Sequence, residues 1–508
     1  MIFTELAWHT QIGYPILTLL QVLPLLAVPV MLLLRNRNAL TGSGFLFALA
    51  EFLLAVDLYR HYDHDNNAFQ FAERLNLLGP LNYHAAVDGI SILFILLTTL
   101  LALLVILYGR IRNYSALSQY FVILFVVESS LVSMFVTVDL LWFVLLYALQ
   151  LLPIGLLVWR WATSVEKDKA LLRFLQFMST GFLLLLCGTI MLGRQHVAAG
   201  DGNWTFDLFE LVRNPIPGTY DSIIFFLLFY GMAIRVPLFP LHGWLPRVAE
   251  HGSIAVAPVF LLGLKIGIYG ILRFIFPLLP EAVMHWHVYV VTFAVTGVFY
   301  AALLAMLQDN LRRLLAYAVV SHTSILVIGL FSLNHLAIQG SMFLSVNFGL
   351  AIAGLLFMTG LVFMRTRTTL LPQLGGLFDR IPIIGATFFV AGLAIVGMPG
   401  TPGFDGAHLV LEAAMHHFGA LVTIAAAIGN VVAAGFLLWA FQRAFLSPPR
   451  AVSAGKLKPV PPAGPLEITL ALAIVMVLLI TGFYSEPWLE LIEKSAQLLS
   501  TPFVRPAG

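Results

Sequence analysis

Charge is scarce in this chain: Asp, Glu, Lys and Arg make up only 10% of its 508 residues, against about a quarter in a soluble domain. Cysteine is nearly missing as well. Cys187 stands alone in the apolar run GFLLLLCGTI, which excludes intrachain disulfides and thiolate clusters. Haem-attachment and iron–sulfur spacings are absent, so no cofactor, and no electron transfer, is expected on this chain. A net charge of +2 with no polybasic tail leaves nothing that points to nucleic acid. The N-terminus lacks a basic stretch and a small-residue cleavage site, so no removable signal peptide is expected.

What the sequence has instead is apolar surface. Hydrophobic residues reach 60%, more than a water-soluble core can bury, so a lipid bilayer must be the solvent for much of it. A helix needs roughly 20 mostly apolar residues to cross a bilayer. Candidate spans fall near 13–34, 41–60, 87–109, 118–137, 139–159, 171–193, 221–241, 253–276, 284–307, 313–333, 337–364, 382–399, 403–442 and 465–485. The expected fold is an all-α polytopic membrane protein of about fourteen transmembrane helices. The segment 403–442 is too long for one straight crossing and is expected to be broken or to begin with a half-helix. The longer linkers, 61–86 and 194–220, are polar and read as surface loops.

Charge tests this count independently. The loops after the odd-numbered spans carry 18 Lys and Arg, among them Arg35, Arg160, Arg312, Arg365, Arg450, Lys456 and Lys458; the other side, which includes Arg273, Lys494 and Arg505, carries 7. Positive charge accumulates on the cytoplasmic side, which places both termini outside. Two cations, Arg235 and Lys265, fall inside spans.

Ionisable groups at bilayer depth are costly and are functional candidates by default. Arg235 lies in AIRVPLFPLHGWLP, where Pro237 and Pro240 remove backbone donors and interrupt the span. It either lines an ion path or is a structural charge holding a broken helix. Lys265 lies mid-span in LLGLKIGIYGILRF, in a medium that disfavours its charged form. That suits a group which takes and releases a proton, whereas Arg stays protonated; the bland alternative is a lysine that snorkels to the interface. His322, about two turns into its span, is either a proton relay or a packed histidine bonded to a carbonyl. Asp405, His408, Glu412 and His416 share one helical face, which reads as a wet proton path, a metal site or a polar face near the interface. Glu128, Asp139 and Gln150 add polarity to the fourth and fifth spans, and Glu128 is placed to cap a hydrogen-bond network between helices. A second Pro/Gly break occurs at GMPGTPGFDG, residues 397–406. Two interrupted spans, one in each half, point to inverted repeats with an ion path at the breaks.

The motifs YHAAVDGISILFILLTTLL, VVESSLVSMFVTVDLLWF, PLFPLHGWLP, LLGLKIGIYGILRF, LRRLLAYAVVSHTSIL, LPQLGGL and GMPGTPGF run in the order found in the antiporter-like M subunits of bacterial NADH:quinone oxidoreductase (complex I). The chain resembles that family from about residue 80 to 445. It ends soon after its last span, and so looks like the M type and unlike the L type. Relatives of that family include Mrp-type cation/proton antiporter subunits and the membrane partner of inorganic-carbon uptake complexes. The resemblance implies fourteen spans, two inverted five-helix repeats (118–276 and 284–442) and a central row of charged residues passing protons. It implies a place among other membrane subunits in a bacterial inner membrane, with redox chemistry on partners. Lys265 matches the family's central lysine and His322 its relay histidine; Arg235 stands where the family has a lysine.

Several positions depart from the family pattern. Ala148 replaces the fifth-span glutamate, Ala407 the glutamate after GMPGT, Phe348 an eleventh-span histidine, and Arg247 the aspartate after WLP. Two repairs are open: Glu128 or Asp139 pairing with Arg235, and Asp405, His408 or Glu412 taking the exit role of position 407. The function these residues imply is a proton-channel-like subunit coupling redox energy to proton movement. The rivals are the ion path of another energy-coupled complex, such as inorganic-carbon uptake or an Mrp antiporter, and a non-conducting spacer.

Overall fold

The computed structural model describes residues 3–78, 81–199, 202, 204–213, 218–448 and 460–503. Strand β1 (Glu5–Ala7) precedes two apolar helices, α1 (Ile16–Leu33) and α2 (Arg37–His61). Strands β2 (Phe69–Leu78) and β3 (Leu81–Val87) follow, then α3 (Gly89–Arg112), α4 (Leu117–Val136), α5 (Leu140–Arg160) and α6 (Lys167–Ala199). Beyond a short α7 (Leu208–Arg213) comes an interrupted pair, α8 (Asp221–Arg235) and α9 (Leu245–His251). The next crossing is assembled from α10 (Val256–Gly263), α11 (Ile266–Gly270), a π-helical turn (Ile271–Ile275) and α12 (Phe276–Leu278). Helices α13 (Pro280–Met306), α14 (Leu311–Leu330) and α15 (His335–Thr366) are continuous. A second interrupted pair, α16 (Pro382–Val396) and α17 (Pro402–Phe418), leads to α18 (Ala420–Phe441), α19 (Pro465–Phe483) and α20 (Glu486–Ser500).

Twelve segments of the described residues are long and apolar enough to cross a membrane. The pairs α8–α9 and α16–α17 are helices cut short by prolines and glycines, each part too brief to be counted with them. The segment 403–442 is broken, as its length required: the chain turns at Gly419 (φ 76°) between α17 and α18, and the Gly397–Thr401 turn separates α17 from α16. Gly397 ends α16 in the left-handed conformation (φ 77°) that an L side chain resists.

The linker 61–86 is not a loop. β2 and β3 pair antiparallel, and β1 adds in parallel to β2, so the helical fold carries a small three-stranded sheet. Residues 194–220 likewise hold the end of α6 and all of α7. Helix α20 is amphipathic: Leu491, Ile492, Ala496 and Leu499 are buried against α3 and α15.

Two ends of the bundle are chemically distinct. At one, Arg110 donates to Asn38 (3.0 Å), Arg312 to Thr163 (2.9 Å) and the Gly252 carbonyl (2.6 Å), and Arg365 pairs with Glu467 (2.6 Å). These contacts gather the loops after α1, α3, α5, α9, α13, α15 and α18–α19 into one arginine-rich face. Arg450, Lys456, Lys458 and Arg505 lie outside the described residues. At the other end sits the sheet, tied to the start of α5 by the Val138 amide, which donates to the His84 carbonyl of β3 (3.1 Å). Helices α14 and α15 are buried nearly all round, whereas Leu152, Leu421 and Val431 are each more than 70% exposed. This is the pattern of a bundle with a lipid-facing rim.

Candidate functional site: buried cations at interrupted helices

Lys265 lies where its own crossing breaks. It adopts the left-handed backbone conformation (φ 42°) between α10 and α11, sparsely populated by residues with a Cβ. Its side chain is only 4% exposed. The ammonium donates to Thr323 Oγ1 at 2.6 Å, and Thr323 in turn donates to the Val319 carbonyl. Among the described residues no carboxylate pairs with it. One turn of α14 places His322 beside Thr323, and the imidazole ring lies 4.9 Å from that of Phe348 on α15, centre to centre. Both ring nitrogens of His322 are buried without a hydrogen-bond partner. A small space of about 10 Å³ remains among Lys265, Val319, His322, Phe348, Ile352 and Ile395, at the lower limit for one water. Nearby, α10 and α15 meet backbone to backbone: a Cβ on Gly349 would stand 2.3 Å from the Gly263 carbonyl oxygen.

Arg235 closes α8 at the first interruption and is also buried. Its guanidinium donates to the Gln150 side-chain amide oxygen, Oε1, on α5 and lies 5.2 Å over the Tyr147 ring. Glu128 and Asp139 do not reach it, so neither supplies the bridge the sequence suggested. Ala148 sits half-buried between the two residues that do make the contact. Beyond the break, a polar cavity of about 540 Å³ opens at the arginine-rich end, lined by Glu166, Lys169, His242, Arg247, Glu250 and Arg313 among others. Its deepest polar member, His242, is buried with Nδ1 unpartnered. Arg247 thus faces this opening and is not part of the buried row.

The remaining expected residues scatter. Asp139 caps α5, accepting from the Trp142 amide at 2.7 Å. Glu128 is buried in α4 facing Glu51 of α2. Asp405, His408, Glu412 and His416 line the outward side of α17, half-buried or exposed, while Ala407 and Val410 make the inward side. They do not join the row with Lys265 and His322, because α17 turns its small residues to α15. Asn347, one residue before Phe348, holds the second break by donating to the Ala394 carbonyl at 3.0 Å.

One site went unread in the sequence: Arg273, placed there in a loop. It lies in the same crossing as Lys265, donating to Asp88 (2.6 Å), Ser91 (3.1 Å) and Tyr269 (3.2 Å). The signal was present in VDGIS, since Asp88 also caps α3 through the Ser91 amide.

A family model described as NADH:quinone oxidoreductase/Mrp antiporter, TM matches residues 137–433, more than half of the chain and nearly all of the region just described. The chain belongs to this family. Among NADH:quinone oxidoreductase/Mrp antiporter relatives, it is 29% identical to NADH-ubiquinone oxidoreductase chain 4 of Marchantia polymorpha, over 96% of this chain and 97% of that one. In respiratory complex I from Thermus thermophilus, one chain superimposes with a TM-score of 0.86 at 26% identity, covering 96% of this chain and 100% of that one. A chain of the Mrp complex from Dietzia shares the fold, with a TM-score of 0.85 at 19% identity over 96% and 98% of the two. This member of the family is a multi-pass helical membrane protein, as its composition indicated.

Proposed function

We propose that this chain is a proton-translocating, antiporter-like subunit in the membrane arm of a complex I-type respiratory assembly, surrounded by other membrane subunits and carrying no redox centre itself. Family membership supports the placement. One observation carries the chemistry: a lysine buried at a break in its own helix, bonded to a single hydroxyl and to no carboxylate, beside a histidine with both nitrogens free. A compensated structural ammonium is paired; one left unpaired is suited to losing and regaining its proton.

The path runs from the polar cavity at the arginine-rich end toward His242, and separately through Lys265 and His322 in the second half of the chain. Arg235, bonded to a neutral amide and unable to deprotonate, is a fixed charge that holds α8 to α5. We read the two interrupted pairs as completing fourteen crossings, with inverted repeats over 118–276 and 284–442. The arginine-rich end faces the cytoplasm of a bacterial inner membrane, so both termini face the outer side.

The test is proton flux in proteoliposomes holding the purified complex. Lys265→Ala abolishes flux while assembly persists; unchanged flux removes Lys265 from the path. The Asp405→Ala/Glu412→Ala double variant keeps flux, because those side chains lie outside the row. Partner chains bearing flavin and iron–sulfur clusters support this assembly, and a soluble zinc partner in their place refutes it.

A further inference from the structure

Helices α2 and α4 run side by side along a seam that can be read residue by residue. A Cβ on Gly44 would touch the Phe121 ring at 3.3 Å, the Phe47 and Phe125 rings lie 6.4 Å apart, and one turn further on Glu51 meets Glu128. The spacing of three and four residues at each step keeps the contacts on one face of each helix. Both glutamates are 0% exposed, and their carboxyl groups lie within hydrogen-bonding reach of each other. Yet all four carboxyl oxygens are without a donor. Neighbouring hydroxyls are engaged elsewhere, Ser129 with the Gln21 carbonyl (2.6 Å) and Ser130 with the Val127 carbonyl (2.8 Å). No cation from α1, α3 or α5 acts on either group.

Two carboxylates cannot be buried in contact with both charges intact and no donor. Something positive must lie between them. A hard metal cation takes about six or more oxygen ligands, whereas this site offers four, and the two helices are unbroken here, so their carbonyls are committed to the helix ladder. A proton needs only two oxygens.

We propose that Glu51 and Glu128 form a proton-binding dyad, one carboxylic acid donating to its partner carboxylate, at mid-membrane depth in the N-terminal helices and separate from the Lys265–His322 row. It gives the chain a second buried proton store that does not depend on whether that row conducts.

Infrared difference spectroscopy on the intact complex, exchanged between H2O and D2O at neutral pH, reads the site directly. The expected result is a protonated-carboxyl C=O band that shifts on deuteration, shifts again in Glu51→Gln, and is lost in Glu51→Gln/Glu128→Gln. The glutamine pair keeps one N–H···O=C bond between the helices, so the seam survives. A double variant that retains every acid band overturns the proposal. So does a wild-type band that disappears as Na⁺ is raised, an outcome that needs no variant and assigns the site to a metal cation. Flux lost in Lys265→Ala with the carboxyl band intact separates this dyad from the proposed path.

Discussion

A single crossing carries two buried cations eight residues apart, and the fold treats them in opposite ways. Arg273, near the sheet, is paired: a carboxylate, a serine and a tyrosine hydroxyl accept from its Nε and Nη2, and the Phe69 ring lies 4.8 Å away, while Nη1 alone has no partner. Lys265, deeper in the bundle, has one hydroxyl and a strained backbone. The first is a guanidinium, which keeps its charge, and is paired for good; the second is an ammonium, which can give its proton up, and is left open. The difference teaches that burial alone does not mark a working charge. The proposed marker is a buried charge left uncompensated on a group that can release its proton, which sets Lys265 apart from Arg235 as well.

The largest effects break this contrast at its paired side. Arg273→Gln strands Asp88 in the core, a loss of about 3–5 kcal/mol for one partner of a buried ion pair, seen as failure of the complex to assemble on native gels. Lys265→Met strands no charge, so the complex assembles while flux in proteoliposomes falls to background. Lys265→Arg sharpens the point: charge is kept in place but cannot be released, and flux again falls to background, whereas retained flux would show that proton release from this position is unnecessary. Phe348→His gives His322 a polar neighbour, and flux rises several-fold.

The smallest effect belongs to His84 of β3, which is titratable like Lys265 and paired like Arg273. Burial disfavours its charged form, but Asp207 and Glu5 accept from its two nitrogens and hold its pKa above the usual value. The His84 hydrogen bonds and nearby charge correspondingly hold Glu5 below the usual carboxylate range; Asp207, although burial opposes it, is also held low. The imidazolium therefore contributes fully below the ordinary histidine pKa near 6.5 and its contribution fades as pH rises through the raised value. The carboxylates contribute above their ordinary range and fade as pH falls through the lowered values. Protection of the sheet amides from hydrogen exchange, taken relative to the intrinsic rate at each pH, is greatest between these limits. In His84→Gln, protection drops by about 1.5–3 kcal/mol, the worth of hydrogen bonds to charged groups, and its alkaline dependence disappears.

Lys265, His322 and both helix breaks were legible because a charge or a proline inside an apolar run is unusual wherever the helix faces. Their partners were not. Thr323 looks ordinary in sequence, Gln150 stands out only as added polarity, and which polar side chain meets a cation depends on the rotation of each helix about its axis. The 403–418 stripe illustrates the same gap: periodicity put Asp405, His408 and Glu412 on one face but not on which side of the bundle. The sheet was hidden in part because β1 joins β2 across some sixty residues of chain, a separation over which no single segment announces the pairing, although β2 and β3 follow one another directly.

Close to the lysine, Gly263 and Gly349 leave no side chain between α10 and α15, so the two main chains rest directly on each other. Such a joint resists sliding and tilting, because any shift at this depth drives main chain into main chain. The parts left with rotamers to change are the side chains around it, the four-carbon arm of Lys265 and the ring of Phe348.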